Sequence, residues 1–149
     1  MSARDTRRLA ERFIEALHRL ERGGPSEVEP MTALFAEQAE LTNPHVQHRG
    51  EPPRGHEGAR RFWANYRAAF QEIESRFSAV TTNGEAAGLF WRSRGKNAQG
   101  QTVEYDGATL LVFDDADKIK HFHGYFDSRS LETPALNAAA TASPQRGYG

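Results

Sequence analysis

Leu9, Phe13, Leu17 and Leu20 recur at helical spacing with Ala10 and Ala16 beside them, while Arg8, Arg12, Glu15 and Arg19 fall elsewhere on the wheel. This predicts an amphipathic first helix, stopped by Gly23, Gly24 and Pro25. Glu11, Glu15 and Glu21 interleave with its arginines, so the polar side reads as a solvated face rather than a membrane-surface helix. Ser26 precedes Glu29 with capping-box spacing, and MTALFAE follows as a short second helix packing Met31, Leu34 and Phe35 inward. In AELTNP the period changes to two: Ala39, Leu41 and Asn43 share a strand face, and Pro44 ends the ladder. After the turn-rich HVQHRGEPPRG, a third helix from His56 presents Ala59, Phe62, Trp63, Tyr66, Phe70 and Ile73 on one stripe.

From residue 73 the pattern is strand-like. IESRFSAVTT and EAAGLFWRSR flank Asn83-Gly84, a dipeptide suited to a tight hairpin because both residues tolerate positive φ. TVEYDGATLLVF and KIKHFHGYFD flank Asp114, Asp115, Ala116 and Asp117, which predicts a second hairpin. Helices first and a meander afterwards imply an α+β fold, with the helices covering one face of a curved antiparallel sheet. Residues 1–134 form one domain on this reading; residues 135–149, rich in Ala, Pro, Gly and polar residues, read as a disordered tail.

Composition narrows the functional classes. Nineteen Lys and Arg against twenty Asp and Glu give a net charge of -1, without the basic surface that nucleic-acid binding needs. The chain has no Cys, which excludes disulfides, thiolate metal sites and a Cys nucleophile. No apolar run reaches the length of a signal core or a membrane span, so a soluble cytoplasmic protein without a membrane partner is expected. Six His residues include the pairs His45/His48 and His121/His123, but neither has a matched third ligand, and no metal or other cofactor is expected.

The order of these elements, with LFAEQAELTNP, GHEGARRFW and the VFDDADKI to YFD ending, resembles the SnoaL-like branch of the nuclear transport factor 2-like superfamily over roughly residues 4 to 131. The resemblance implies a cone-shaped half-open barrel, its curved antiparallel sheet wrapped around three N-terminal helices and enclosing a deep cavity. It also implies a homodimer through the outer sheet face. Relatives include ketosteroid isomerases, limonene epoxide hydrolases, polyketide cyclases and proteins that only bind, so fold does not settle function.

Carried over position by position, the relatives' catalytic sets are not retained. Where ketosteroid isomerases use an Asp base, a Tyr and a protonated Asp, this chain has Asn43, Phe13 and Thr109. Against limonene epoxide hydrolases, Asn43 matches the water-holding Asn, but Leu41, Phe90, Arg92 and Gly124 stand at the Tyr, Arg and two Asp positions. Both comparisons imply the same inward faces: Phe90 and Arg92; Tyr105, Gly107 and Thr109; Phe122, Gly124 and Phe126. Leu89, Trp91, His121, His123 and Tyr125 would then face outward.

The cavity expected from this is aromatic, with Phe13, Trp63, Tyr105, Phe90, Phe122 and Phe126 in its walls and Asn43, Thr109 and Arg92 as its polar groups. Arg92 either meets a ligand anion, reaches Asp106 or Glu104, or snorkels to solvent. Asn43 either contacts ligand or caps the turn before Pro44. His45, beside Asn43 and titrating near neutrality, is the candidate general base. Two functions are open: an isomerase, cyclase or hydratase acting on an apolar carbonyl or carboxylate compound, or a non-catalytic small-molecule binding protein on the same scaffold.

Overall fold

In the computed structural model, residues 5–47 and 51–127 are described. The tail expected at residues 135–149, His48 and the end of the domain at residue 134 lie outside them. Helix α1 (Thr6–Gly23) begins at Asp5, whose side chain accepts the Arg8 backbone N–H at 3.0 Å and satisfies a first-turn donor. Its stripe of Leu9, Phe13, Leu17 and Leu20 is buried, and α1 packs on strands β2 (Phe70–Thr82) and β3 (Ala86–Asn97).

MTALFAE does not form one helix. Helix α2 (Val28–Thr32) ends early and strand β1 (Phe35–Thr42) begins at Phe35, because Ile119 N–H bonds the Leu34 carbonyl at 2.9 Å and draws the chain alongside β5 (Ile119–Phe126). Tertiary pairing here overrides local helix propensity. Ser26 lies in a short 3₁₀ turn, and α2 has no side-chain cap. Beyond β1, the short helix α3 (Pro44–Gln47) precedes α4 (Gly55–Ala68), which buries Ala59, Phe62 and Trp63. Phe70 and Ile73, expected on that helix, open β2 instead, paired to Asn97 and Gly95 of β3.

The five strands, with β4 spanning Thr102–Phe113, form a curved, unclosed sheet in the order β1-β5-β4-β3-β2. Neighbours are antiparallel except β1 and β5, which run parallel, a departure from the wholly antiparallel expectation. The turn at Asn83-Gly84 forms, but neither residue takes a positive φ. Asn83 Oδ1 instead accepts the Glu85 and Ala86 N–H groups, each at 2.8 Å, in a side-chain-held turn. The acidic hairpin between β4 and β5 is as expected, with Asp114 Oδ1 accepting from Ala116 and Lys118 at 2.9 Å. Among the described residues, no helix is long and apolar enough to cross a membrane.

Candidate functional site

Between the sheet's inner face and α1 and α4 lies a cavity of about 690 Å³. Phe13, Trp63, Tyr105, Thr109, Phe122 and Phe126 line it, as do Asn43 and His45. Exposed Glu51, Arg54, Glu57 and Arg61 stand at its mouth. The walls interlock: Trp63 meets Phe122 edge-on at 5.2 Å, and Tyr105 meets both Trp91 at 5.4 Å and Phe126 at 5.6 Å.

Phe90 and Arg92 are not in this cavity. Strand β3 presents its other face: Trp91 and Ser93 line the cavity, Phe90 is 43% exposed on the outer surface, and Arg92 lies outside. Arg92 donates to Glu104 at 2.8 Å and approaches Asp106 at 3.7 Å, so its partners are the acids weighed as an alternative, on the solvent side. The cause is register. The turn in which Asn97 Oδ1 accepts the Gln99 and Gln101 N–H groups at 3.0 Å pairs Trp91 with Gly107 and Ser93 with Tyr105. A one-residue slip turns every side chain over. Gly107 makes room for the indole: a Cβ there would sit 2.9 Å from Trp91 Cζ2 and 2.2 Å from the Tyr125 carbonyl oxygen. The sequence carried a signal, since Arg92, Arg94 and Lys96 alternate on one face and three cations in a row belong to solvent. On β4 and β5 the expected inward residues Tyr105, Thr109, Phe122, Gly124 and Phe126 do line the cavity.

Near the mouth, Asn43 Oδ1 accepts the Val46 N–H at 2.9 Å and caps α3, while its amide NH₂ remains available. Both readings of Asn43 are thus realised in geometry: it holds the turn and it lines the cavity. Thr109 Oγ1 accepts the Trp91 indole N–H at 3.0 Å, which leaves the hydroxyl proton to donate. Gly124 lies between them, paired directly with Thr109, and a Cβ at Gly124 would lie 3.4 Å from Asn43 Cβ. The missing side chain therefore keeps open the gap between two donors. His45 packs its ring 5.4 Å from Phe126 at the same end.

The opposite end holds a group that sequence reasoning assigned to solvent. Glu21, at the last turn of α1, is 5% exposed. Its Oε1 accepts the Ser75 N–H at 3.0 Å, and its Oε2 accepts the Ser75 hydroxyl at 2.6 Å and the Tyr66 hydroxyl at 2.7 Å. Ser75 Oγ also lies 2.6 Å from Ser93 Oγ. Tyr66, Ser75 and Ser93 line the cavity, with Glu21 behind them. Burial, followed by the nearby Tyr105 and Glu21, pushes the Tyr66 phenol well above its usual pKa and keeps it protonated. The spacing of Glu21, four residues beyond Leu17 and eight beyond Phe13, places it on the apolar stripe and would have revealed it.

A further polar atom faces no protein acceptor: the indole N–H of Trp63, a cavity residue only 2% exposed, has no partner among the described residues. Also among the described residues, no group of three or more His, Asp or Glu is placed to hold a metal ion.

Over residues 10–122 the sequence matches the SnoaL-like domain family. No curated protein matches it. An NTF2-like protein from Anabaena variabilis aligns with a TM-score of 0.74 and 20% identity, over 88% of this chain and 97% of that one. An NTF2-like protein of unknown function from Burkholderia pseudomallei gives 0.72 and 17%, over 89% and 100%. SalBIII, an epoxide hydrolase/cyclase-like enzyme in pyran ring formation in the polyether salinomycin, gives 0.67 and 14%, over 85% and 95%. At these identities the solved structures show shared fold, and the family match spans most of the chain. With its helices, unclosed sheet and enclosed cavity, the chain belongs to the SnoaL-like family of the NTF2-like superfamily.

Proposed function

We propose that the protein encloses an apolar, oxygen-bearing small molecule and rearranges it by proton transfer, as an isomerase, cyclase or hydratase. The observation that carries this reading is the Asn43–Gly124–Thr109 arrangement, where two available donors flank a gap in the cavity wall beside His45. Donors fixed at such a gap stabilise charge developing on a ligand carbonyl or epoxide oxygen, while His45 moves the proton. Phe13, Trp63, Tyr105, Phe122 and Phe126 hold the apolar body by burial and edge-to-face ring contact. The cyclase-like neighbour SalBIII shows that the same fold supports ring-forming chemistry in that protein. A carboxylate substrate loses its proposed cation, since Arg92 lies outside.

Binding without turnover is the second reading. It is favoured by the state of the two cavity groups best suited to act as bases by family analogy or chemistry: Asn43 is an amide, and both Glu21 oxygens are occupied by protein donors. Mass spectrometry of compounds released from freshly purified, denatured protein identifies the ligand. With that compound, His45→Gln is expected to abolish turnover and retain binding; full turnover in the variant removes His45 from the mechanism, and no turnover in wild type leaves the binding reading. Assembly as a homodimer through the outer sheet face, where Phe90 and Tyr125 are exposed, completes the proposal.

A further inference from the structure

Glu21 is a carboxylate set behind the wall of an aromatic cavity, held by three donors that are all neutral. Neutral donors stabilise the charge without cancelling it. The ionisable groups packed around it are committed elsewhere. On α1, His18 Nε2 contacts the Ser75 carbonyl at 3.0 Å and Arg22 donates to the His18 carbonyl at 3.3 Å. On α4, Arg67 donates to the Phe70 carbonyl at 2.9 Å. Among the described residues no basic side chain forms an ion pair with Glu21. At the mouth, Glu51 and Glu57 offset Arg54 and Arg61 in formal charge. The interior is therefore negative.

The hydroxyls give this charge a direction. With Tyr66 and Ser75 both donating to the carboxylate, the 2.6 Å contact between the serines requires Ser93 to be the donor. Each hydroxyl has one proton, so those of Ser75, Ser93 and Tyr66 are all committed within the protein, and towards the cavity these oxygens offer only lone pairs. Around them stand Trp91, Tyr105 and Phe70, whose ring faces attract cations.

We propose that the cavity selects ligands bearing a protonated amine, with Glu21 as the buried counter-charge reached through the Ser75 and Ser93 hydroxyls, and that it disfavours carboxylates. This rests on the cavity being a small-molecule site, as proposed above, and specifies the charge class of its occupant.

Three probes of similar shape test it: 1-naphthylmethylamine, 1-naphthalenemethanol and 1-naphthoate, titrated at pH 7 and followed by calorimetry. The ammonium is expected to bind about tenfold or more tightly than the alcohol, with the carboxylate weakest, as an unscreened unit charge near the site would dictate. Glu21→Gln, which keeps the shape and removes the charge, is expected to bring the amine to the level of the alcohol. Should that variant fail to fold, Ser93→Ala is expected to reduce the amine preference severalfold. An alcohol that binds as well as the amine in wild type overturns the charge selection and leaves the cavity reading standing. An amine preference that survives Glu21→Gln or Ser93→Ala overturns the role given to this cluster. If none of the three binds, the cavity reading falls and the selection with it.

Discussion

The two faces of the sheet carry charge in opposite ways. On the outer face Arg92, Glu104 and Asp106 lie mostly in solvent, and their pairing at 2.8 Å and 3.7 Å adds little to hydration that each already has. On the inner face Glu21 has lost its water, and in exchange receives two hydroxyls and a backbone N–H. Outside, a charge is tolerated wherever the strand happens to point; inside, it persists because each of its partners is held in place by a different element. A buried ionic group is thus a statement about α1, α4 and β2 together, whereas a surface ion pair concerns only adjacent strands.

Truncating the inner charge sharpens the contrast most. Glu21→Ala strands Ser75 N–H, Ser75 hydroxyl and Tyr66 hydroxyl in the interior, and unpaired buried polar groups of this kind are costly. A loss of about 2–4 kcal/mol in urea denaturation is expected, and a loss within experimental error would show that the cluster is solvated after all.

How far the sequence revealed this arrangement depended on whether a pattern had one physical reading or two. The stripe Leu9, Phe13, Leu17 and Leu20 had one, and α1 follows it. Strand alternation has two, and β3 took the face opposite to that implied by resemblance because a turn at Asn97 set its register. Strand β1 began earlier than expected because its partner, β5, lies far along the chain where no local pattern reports it. Glu21 was hidden by a habit of reading: an acid on an amphipathic helix is assigned to water by type, although its position lay on the apolar stripe. Asn43, Thr109 and His45 were found because the family resemblance pointed to a position rather than to a residue type.

A smaller effect is expected on the outer face from His123, which stacks on Tyr125 with ring centroids 4.0 Å apart. Burial, and then the neighbouring His121, lower its pKa below the usual histidine value. Protons therefore bind more readily to the unfolded chain in the window between that lowered value and about 6.5, and stability rises with pH across it and levels off above. His123→Gln should flatten that part of a stability-against-pH curve, and an unaltered slope would assign it to another group. The smallest effect belongs to Arg92→Met. Its unfolding midpoint and ligand affinity should both match wild type in the same assays, and a clear loss of affinity would return Arg92 to the binding site.

The place of β5 has a consequence for biosynthesis. It is the final strand of the domain to be translated, yet it occupies the interior of the sheet, hydrogen-bonded on one side to β1 and on the other to β4. A nascent chain that stops short of it has two unjoined pieces of sheet and lacks the Phe122, Gly124 and Phe126 that close the floor. Ligand capture and the completion of folding are therefore a single late event, which couples any compound in the cavity to the last and most non-local step of assembly.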